Sequence, residues 1–386
     1  MPAPTYRIRQ VEDPRQVDAP TWDALVDADG AASPFLRHAF LSALHDSGSA
    51  VPETGWEPHW LTLWTQEAQG ERLAAAVPLY LKAHSYGEYV FDWSWAEAQE
   101  RLGRPYYPKW LVAVPFTPVV GSRLIARDAA ARQAAAQALV ERVGARRLSS
   151  LHVLFAPHEQ ILALAGAGLL LREGLQFHWR NCGYGGFEDF LAALTQPKRK
   201  KIRAERRKVL EAGVTLERRV GAQITEADWV FFFRCYENTY VEHGGSPYLN
   251  LDFFLRLARD LPGHLLLVRA LREGRPVASA LGVYDRTRAA LYGRYWGALE
   301  AIPCLHFECC YYQMIEFAIE QGLQVFEGGA QGAHKLARGL DPVPTWSAHW
   351  LREPALHDAV AHFLARERVA VGATIDELAE HRALRR

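Results

Sequence analysis

Residues 265–296 read LLLVRALREGRPVASALGVYDRTRAALYGRYW. Two apolar runs, Leu265–Leu271 and Pro276–Tyr284, flank the turn residues Arg272-Glu273-Gly274-Arg275 and predict a strand–turn–strand hairpin. Asp285-Arg286-Thr287-Arg288 makes a second polar turn, and a third strand is expected over Ala289–Trp296. A helix from about Leu305 to Gln321 follows, stopped at Gly322. Leu323–Phe326 then predicts a short strand that opens into Glu327-Gly328-Gly329-Ala330-Gln331-Gly332-Ala333-His334-Lys335. Three antiparallel strands, a helix, and a strand parallel to its neighbour form the core order of an acetyltransferase-like domain.

Upstream, Trp229–Tyr240 and Asp252–Leu261 predict helices. Residues 198–208 (KRKKIRAERRK) hold eight basic side chains and one acid, Glu205. Ile202, Val209 and Leu210 recur there at helical spacing, which predicts a helix with a narrow apolar edge and a cationic remainder. The N-terminal half gives a looser version of the same order. Strands are expected at Ile8–Val11, Trp60–Trp64, Leu73–Leu81, Ser150–Phe155 and Phe177–Arg180. Helices are expected at Pro20–Leu25, Phe35–Leu44, 128–143 and 157–167, and a further one at 354–369. Between Phe91 and Leu124 a polar-aromatic tract with prolines at 108, 115 and 118 excludes a regular helix around those prolines. Two α/β domains are therefore expected, 1–186 and 213–386, joined by a basic linking helix over 187–212.

The 386 residues suit two domains. Hydrophobic residues make up 49% and charged residues 23%, the balance of a soluble globular chain. Basic and acidic residues number 44 each, so any electrostatic message lies in local clusters. The five cysteines are an odd, uneven set that fits reduced thiols better than a disulfide framework. The start, MPAPTYRIRQ, has no signal-peptide pattern, and no stretch reaches the roughly 20 apolar residues that cross a bilayer. A cytoplasmic location without stable membrane insertion is the expectation; the oligomeric state is left open.

Four tracts together resemble the predicted N-acyltransferase family related to the FemAB-type peptidoglycan ligases. They are FDWSWAEA (91–98) with YYPK (106–109) and PFTPVVGSRL (115–124); RKKIRAERR (199–207); YGRYWG (292–297) with LHFECCYYQ (305–313); and FEGGAQGAHKLARG (326–339). The resemblance implies two tandem acetyltransferase-like (GNAT-like) domains and transfer of an acyl or aminoacyl group to an amine. The family pattern carries an acid just before the His-Lys pair. Ala333 stands there in this chain, which shifts that role to Glu327, His334 or Glu308.

Acyl transfer to an amine needs a base for the amine proton, donors for the oxyanion and a slot for the acyl carrier. In an acetyltransferase-like fold the two parallel strands splay apart. Their ends here would place Tyr292, Arg294, Trp296, Glu327, Gln331, His334 and Lys335 around the cleft. Glu327 reads equally as a base and as a salt-bridge partner of Arg294 or Arg338. His334 exchanges protons near neutral pH, and Lys335 suits a phosphate or carboxylate. Glu308 is the remaining catalytic candidate. Asp92, Trp93, Trp95, Tyr107 and Lys109 form a polar-aromatic cluster suited to an acceptor bearing an amine or sugar.

The basic helix offers Lys200, Arg203, Arg206 and Arg207 to phosphates. No tightly bound cofactor is expected. The donor is an aminoacyl-tRNA or an acyl-CoA, and the acceptor a small-molecule or cell-wall-precursor amine. The connection Gly297–Pro303 lacks the Q/R-x-x-G-x-G/A loop of CoA-dependent acetyltransferases, which weakens acyl-CoA. Cys304, His306, Glu308, Cys309 and Cys310 are too crowded for a zinc site, so no metal is expected. The competing class is a non-catalytic protein whose basic helix holds RNA or an anionic lipid surface.

Overall fold

The computed structural model describes residues 5–30, 33–330, 332–380 and 383–384. The chain forms two compact units. Unit 1 takes residues 1–174 and 344–372, unit 2 residues 175–343 and 373–386. The basic helix spans Gln196–Glu211 and belongs to unit 2, because Ile202 and Val209 on its apolar edge are buried in that unit's core. Residues 344–372 rejoin unit 1, where Leu356, Val360 and Leu364 pack against Trp95 and Tyr106.

Unit 2 is built on the hairpin read from the sequence. Strands Leu265–Arg272 and Arg275–Asp285 pair antiparallel through a turn whose central residues, Glu273 and Gly274, have φ of 52° and 74°. Positive φ at both positions is the two-residue turn that matches strand twist. Ala290–Ala298 adds antiparallel to the second strand, and Val325–Ala330 adds parallel to Ala290–Ala298. Two further strands join this sheet: Val214–Val220, absent from the sequence reading, on Leu265–Arg272, and the end of Leu170–Arg180, read from the sequence as Phe177–Arg180, antiparallel to Val325–Ala330. Val214–Val220 carries Glu217, Arg218 and Arg219, which hide its strand character.

The parallel pairing is short. Its register runs Ala290↔Val325, Leu291↔Phe326 and Tyr292↔Glu327. Arg294 is the extra residue of a bulge, since Leu281 faces Tyr295 while Gly282 faces Gly293. Gly328 and Gly329 bulge on the other strand, where Glu327 faces His178 and Ala330 faces Gln176. Helix Glu226–Glu242 closes over the first strand past Tyr292. Thr239 Oγ1 donates to the Trp296 carbonyl at 2.9 Å and Asn238 Nδ2 to the Ala298 carbonyl at 2.9 Å.

Unit 1 has a four-stranded antiparallel sheet, ordered Arg7–Val11, Trp60–Glu67, Gly70–Val77 and Ile125–Ala126. A second sheet runs through Trp56–Pro58, Leu79–Lys82, Lys109–Val112, Ser150–Leu154 and residues 344–351. Lys109–Val112 and Ser150–Leu154 are parallel over three residue pairs, the same motif as in unit 2. Beyond that pairing the chain fills the space itself. Gly121 N–H bonds the Phe155 carbonyl, and buried Arg123 donates to the carbonyls of Leu154, Gly121, Ser122 and Val119. Part of the tract read as irregular is a helix, Trp93–Arg101, with Trp95 and Ala96 on its buried side.

Gly297 marks how closely the helix approaches the strand. A Cβ there would stand 1.8 Å from the Cys235 carbonyl oxygen. Backbone cannot step aside as a side chain can, so Gly297→Ala is expected to destabilise by at least the ~1–3 kcal/mol of an overpacked core. Gly282→Ala is the comparison, because its closest neighbour is the flexible Met314 side chain at 3.1 Å. Urea denaturation midpoints should fall further for Gly297→Ala; equal midpoints would contradict the close approach.

Candidate functional site

Strand alternation sorts the residues where the parallel strands part. Leu291, Phe326 and Trp179 form one cross-strand row and are buried in the unit 2 core. One residue further on, Tyr292, Glu327 and His178 form the next row on the opposite face. Paired backbone ends at this row between the two parallel strands, so Glu327 sits where they diverge.

The Glu327 side chain is 13% exposed, and its Oε2 is buried without a hydrogen-bond partner. His178 Nε2 lies 3.9 Å away. Burial pushes the Glu327 carboxyl up to about 8, against the opposing charges of Arg288 and Arg294. Burial, with Arg180 and Lys335 nearby, pushes His178 down to about 4. The two therefore meet at neutral pH as an acid holding its proton and a neutral imidazole. The Arg294 guanidinium donates to the Tyr295 hydroxyl at 3.1 Å.

The loop after Glu327 is tied back onto the site. Lys335 is buried, and its Nζ donates to the Gly329 carbonyl at 2.8 Å. Burial brings its ammonium down to about 8. Its charge also helps hold His178, His306 and His334 below the usual imidazole range, in each case behind burial. His334 Nε2 meets the Tyr311 hydroxyl at 3.0 Å, so the ring is exposed but not unattached. Trp296 reaches the same neighbourhood through His306, ring centroids 5.5 Å apart. Gln331 lies outside the described residues.

Arg338, absent from the sequence reading as a site residue beyond a possible Glu327 partner, anchors this loop. It bonds the Glu205 carboxylate at 2.8 Å and the His334 carbonyl at 2.7 Å, and its guanidinium lies 3.4 Å over the Phe307 ring. Glu205 also accepts from the Tyr312 hydroxyl. Glu205, the one acid of residues 198–208, is thus a buried anchor.

Several expected site residues lie elsewhere. Glu308 is buried in a wide helical turn, Glu308–Tyr312, and held by Arg206 at 3.1 Å and Gln313 at 2.9 Å. Its charge is matched internally, which removes it from the catalytic set. The same bond, with a second to Glu316 at 3.3 Å, removes Arg206 from the phosphate set. Lys200, Arg203 and Arg207 do share an outer face with Arg199, lining an open groove of about 500 Å³. Lys109, Asp92 and Trp95 are interior residues of unit 1, out of reach of a substrate in this conformation, whereas Trp93 and Tyr107 are partly exposed.

His178, Gln176 and Tyr311 were missed by sequence reasoning. His178 alternates with core residues Phe177 and Trp179, a pattern that places it on the face opposite the core without saying what it meets.

The family model described as peptidoglycan biosynthesis/recognition, FemAB-like, matches residues 13–386. The chain belongs to the FemAB-like family. No curated protein matches it. Among solved structures, the lysylphosphatidylglycerol synthetase (L-PGS) structure from Bacillus licheniformis is 11% identical, covers 92% of this chain and 98% of its own, and gives a TM-score of 0.54. The C-terminal domain of a lysylphosphatidylglycerol synthetase from Agrobacterium fabrum is 11% identical over 85% and 96%, TM-score 0.50. A tandem GNAT protein of clavulanic acid biosynthesis is 10% identical over 91% and 99%, TM-score 0.47. This FemAB-like chain has two tandem GNAT-like α/β domains. Among its described residues no helix is long and apolar enough to cross a membrane.

A carboxyl whose folded-state value is raised keeps a proton that the unfolded chain releases. Stability then falls as pH rises from about 4.5 to about 8 and levels off above. Glu327→Gln removes that loss. Its melting temperature should exceed that of the unmodified protein at pH 9 and match it near pH 4. An equal difference at both pH values would show that the carboxyl is not buried in its protonated form.

Proposed function

We propose that unit 2 transfers an acyl or aminoacyl group to an amine, with Glu327 accepting the amine proton. The buried Glu327 carboxyl at the parting of the strands, with Oε2 lacking a hydrogen-bond partner, carries this reading. The acceptor nitrogen attacks the acyl carbonyl carbon and a C–N bond forms. Glu327 takes the N–H proton, and the bond from the carbonyl carbon to the carrier breaks as the carrier leaves. Lys335 supplies positive charge for the oxyanion, and His334 with Tyr311 supplies a proton path to the carrier. Tyr292, Arg294 and Trp296 line the approach.

Covering of Trp296 and Ala298 by Thr239 and Asn238 counts against a donor arm that pairs along that strand, as acyl-CoA would. The groove of Arg199, Lys200, Arg203 and Arg207 supports a phosphate-rich donor, for which we propose aminoacyl-tRNA. The family's description supports a cell-wall-precursor amine as acceptor.

Glu327→Gln is expected to lower kcat by ~10²–10⁴-fold, the usual worth of a positioned base. With the unmodified protein kcat/KM should rise with pH up to an apparent value near 8. Unchanged turnover in Glu327→Gln would remove the base assignment. No turnover with any acyl-CoA, acyl-carrier protein or aminoacyl-tRNA would favour the non-catalytic reading.

Charge reversal at Arg199 and Arg203 should weaken binding of the donor and flatten its salt dependence. The same change at Arg206 should chiefly lower thermal stability, because Arg206 holds buried Glu308. Superimposable salt curves for all three proteins would refute the groove.

A further inference from the structure

The most densely bonded polar cluster of the described residues is in unit 1 and plays no part in the chemistry proposed for unit 2. Lys109 has no solvent exposure, and its Nζ donates to Ser85 Oγ at 2.7 Å, Glu88 Oε2 at 2.9 Å and Asp92 Oδ2 at 2.5 Å. Tyr106 donates to the same Asp92 oxygen at 2.7 Å and stands 3.0 Å from His152 Nε2. Glu88 and Asp92 are both almost wholly buried, yet Glu88 Oε1 and Asp92 Oδ1 have no hydrogen-bond partner. Unpaired buried carboxylate oxygens are costly and call for N–H or O–H donors.

Ser85, Glu88 and Asp92 all come from one segment, residues 83–92, which joins no helix or strand. The segment is amphipathic in the inverted sense. Its charges point inward to Lys109, while Tyr86 and Phe91 are 56% and 52% exposed, with the adjoining Trp93 ring tilted against Tyr86 at 4.9 Å. Of its apolar side chains only Tyr89 and Val90 are half-buried. Polar contacts hold it: those of Lys109, a bond from Lys82 Nζ to the Tyr86 carbonyl at 3.3 Å, one from Arg172 to the Phe91 carbonyl at 2.7 Å, and one from the Ala83 N–H to the Gly55 carbonyl at 3.3 Å. Gly87, at φ +80°, supplies a bend that a side chain would block, since a Cβ there would meet the Phe116 ring at 2.6 Å. Beside the segment an open groove of about 390 Å³ is lined by Leu81, Ala83, Glu57, Tyr107 and Pro108. Tyr107 joins groove and cluster, because its hydroxyl bonds Ser85 Oγ at 2.9 Å.

A purely structural cluster of this kind would be served as well by apolar residues of similar volume. Burial pushes Glu88 up to about 7 and Lys82 down to about 7, whereas against burial the Lys109 charge holds Asp92 well below the usual carboxylate range. We propose that residues 83–92 are a lid, latched by Lys109, that admits a small amine- or hydroxyl-bearing molecule from the Tyr107 groove to the free oxygens of Glu88 and Asp92. The inference rests on unit 1 alone and stands or falls separately from the role of Glu327.

Hydrogen exchange of the full-length protein, read by mass spectrometry on peptides covering 83–92, tests it. Lys109→Met should speed exchange there at least tenfold while strands Trp60–Glu67 and Gly70–Val77 stay unchanged. Asp92→Asn serves if Lys109→Met does not fold. Ethanolamine (an amine) or glucose (a polyol) should slow exchange of 83–92 in the unmodified protein, and which of them does so separates the two sources of donors. Acetate, which brings no donor, should not. Unchanged exchange of 83–92 in the folded variants overturns the lid. No effect of either donor molecule, or an equal effect of acetate, overturns the ligand site.

Discussion

Everything distinctive about unit 2 follows from two parallel strands that pair for three residues and then separate. Continued pairing would satisfy the backbone of both strands and leave no room for a ligand. Separation leaves N–H and C=O groups that need other partners. The chain supplies some of them locally. Bulges at Arg294 and at Gly328-Gly329 turn the strands aside, Thr239 and Asn238 take up the carbonyls of Trp296 and Ala298, and Lys335 takes up that of Gly329. At the centre of these arrangements Glu327 Oε2 is left without a hydrogen-bond partner. A buried carboxyl oxygen left open where two strands part is the kind of group a reacting partner would satisfy.

The basic helix shows how charge is divided between structure and surface. Its inward residues are consumed: Glu205 by Arg338 and Tyr312, Arg206 by Glu308 and Glu316. These bonds fix the helix to the loop that carries His334 and Lys335. Its outward residues Arg199, Lys200, Arg203 and Arg207 are thereby presented from a rigid support, with Arg199 and Arg207 roughly 12 Å apart along the axis at 1.5 Å per residue. Arg203 and Arg207 do meet Glu188 and Glu211, but both pairs are on the surface, where such contacts contribute little and yield to a stronger anion.

The order of elements in unit 2 was legible because each was announced by local chemistry: the hairpin by Glu273-Gly274, the helix end by Gly322, the cleft loop by its glycines. The basic helix was legible from its charge, but not which cations stay free, because that depends on Glu308 and Glu316, more than a hundred residues further on. The same distance explains Glu308, whose position near a helix start suggested reactivity and whose actual partner is Arg206. His178 carried no local mark at all; only the pairing of Leu170–Arg180 with Val325–Ala330 brings it to Glu327. In unit 1 the aromatic-acid tract was recognised as a cluster, but its inside and outside could not be told apart. Burial separates Asp92, Trp95 and Lys109 from Trp93 and Tyr107.

The two units repeat one motif and use it differently. In each, a parallel pair holds for three residues and the strands then part. In unit 1 the opening is filled by the chain's own Arg123, whose guanidinium is bonded to four backbone carbonyls. A guanidinium buried without an anion is costly, and burial pulls Arg123 down to about 9. That cost is tolerable only because the carbonyls it covers would otherwise be unsatisfied. In unit 2 the corresponding place holds the Glu327 carboxyl, with His178 Nε2 at 3.9 Å and the charges of Arg288 and Arg294 acting on it against burial. A buried guanidinium bonded to four carbonyls in one unit, and a buried carboxyl with an unpartnered oxygen in the other, is the arrangement expected if one strand parting serves chemistry and the other is sealed for stability.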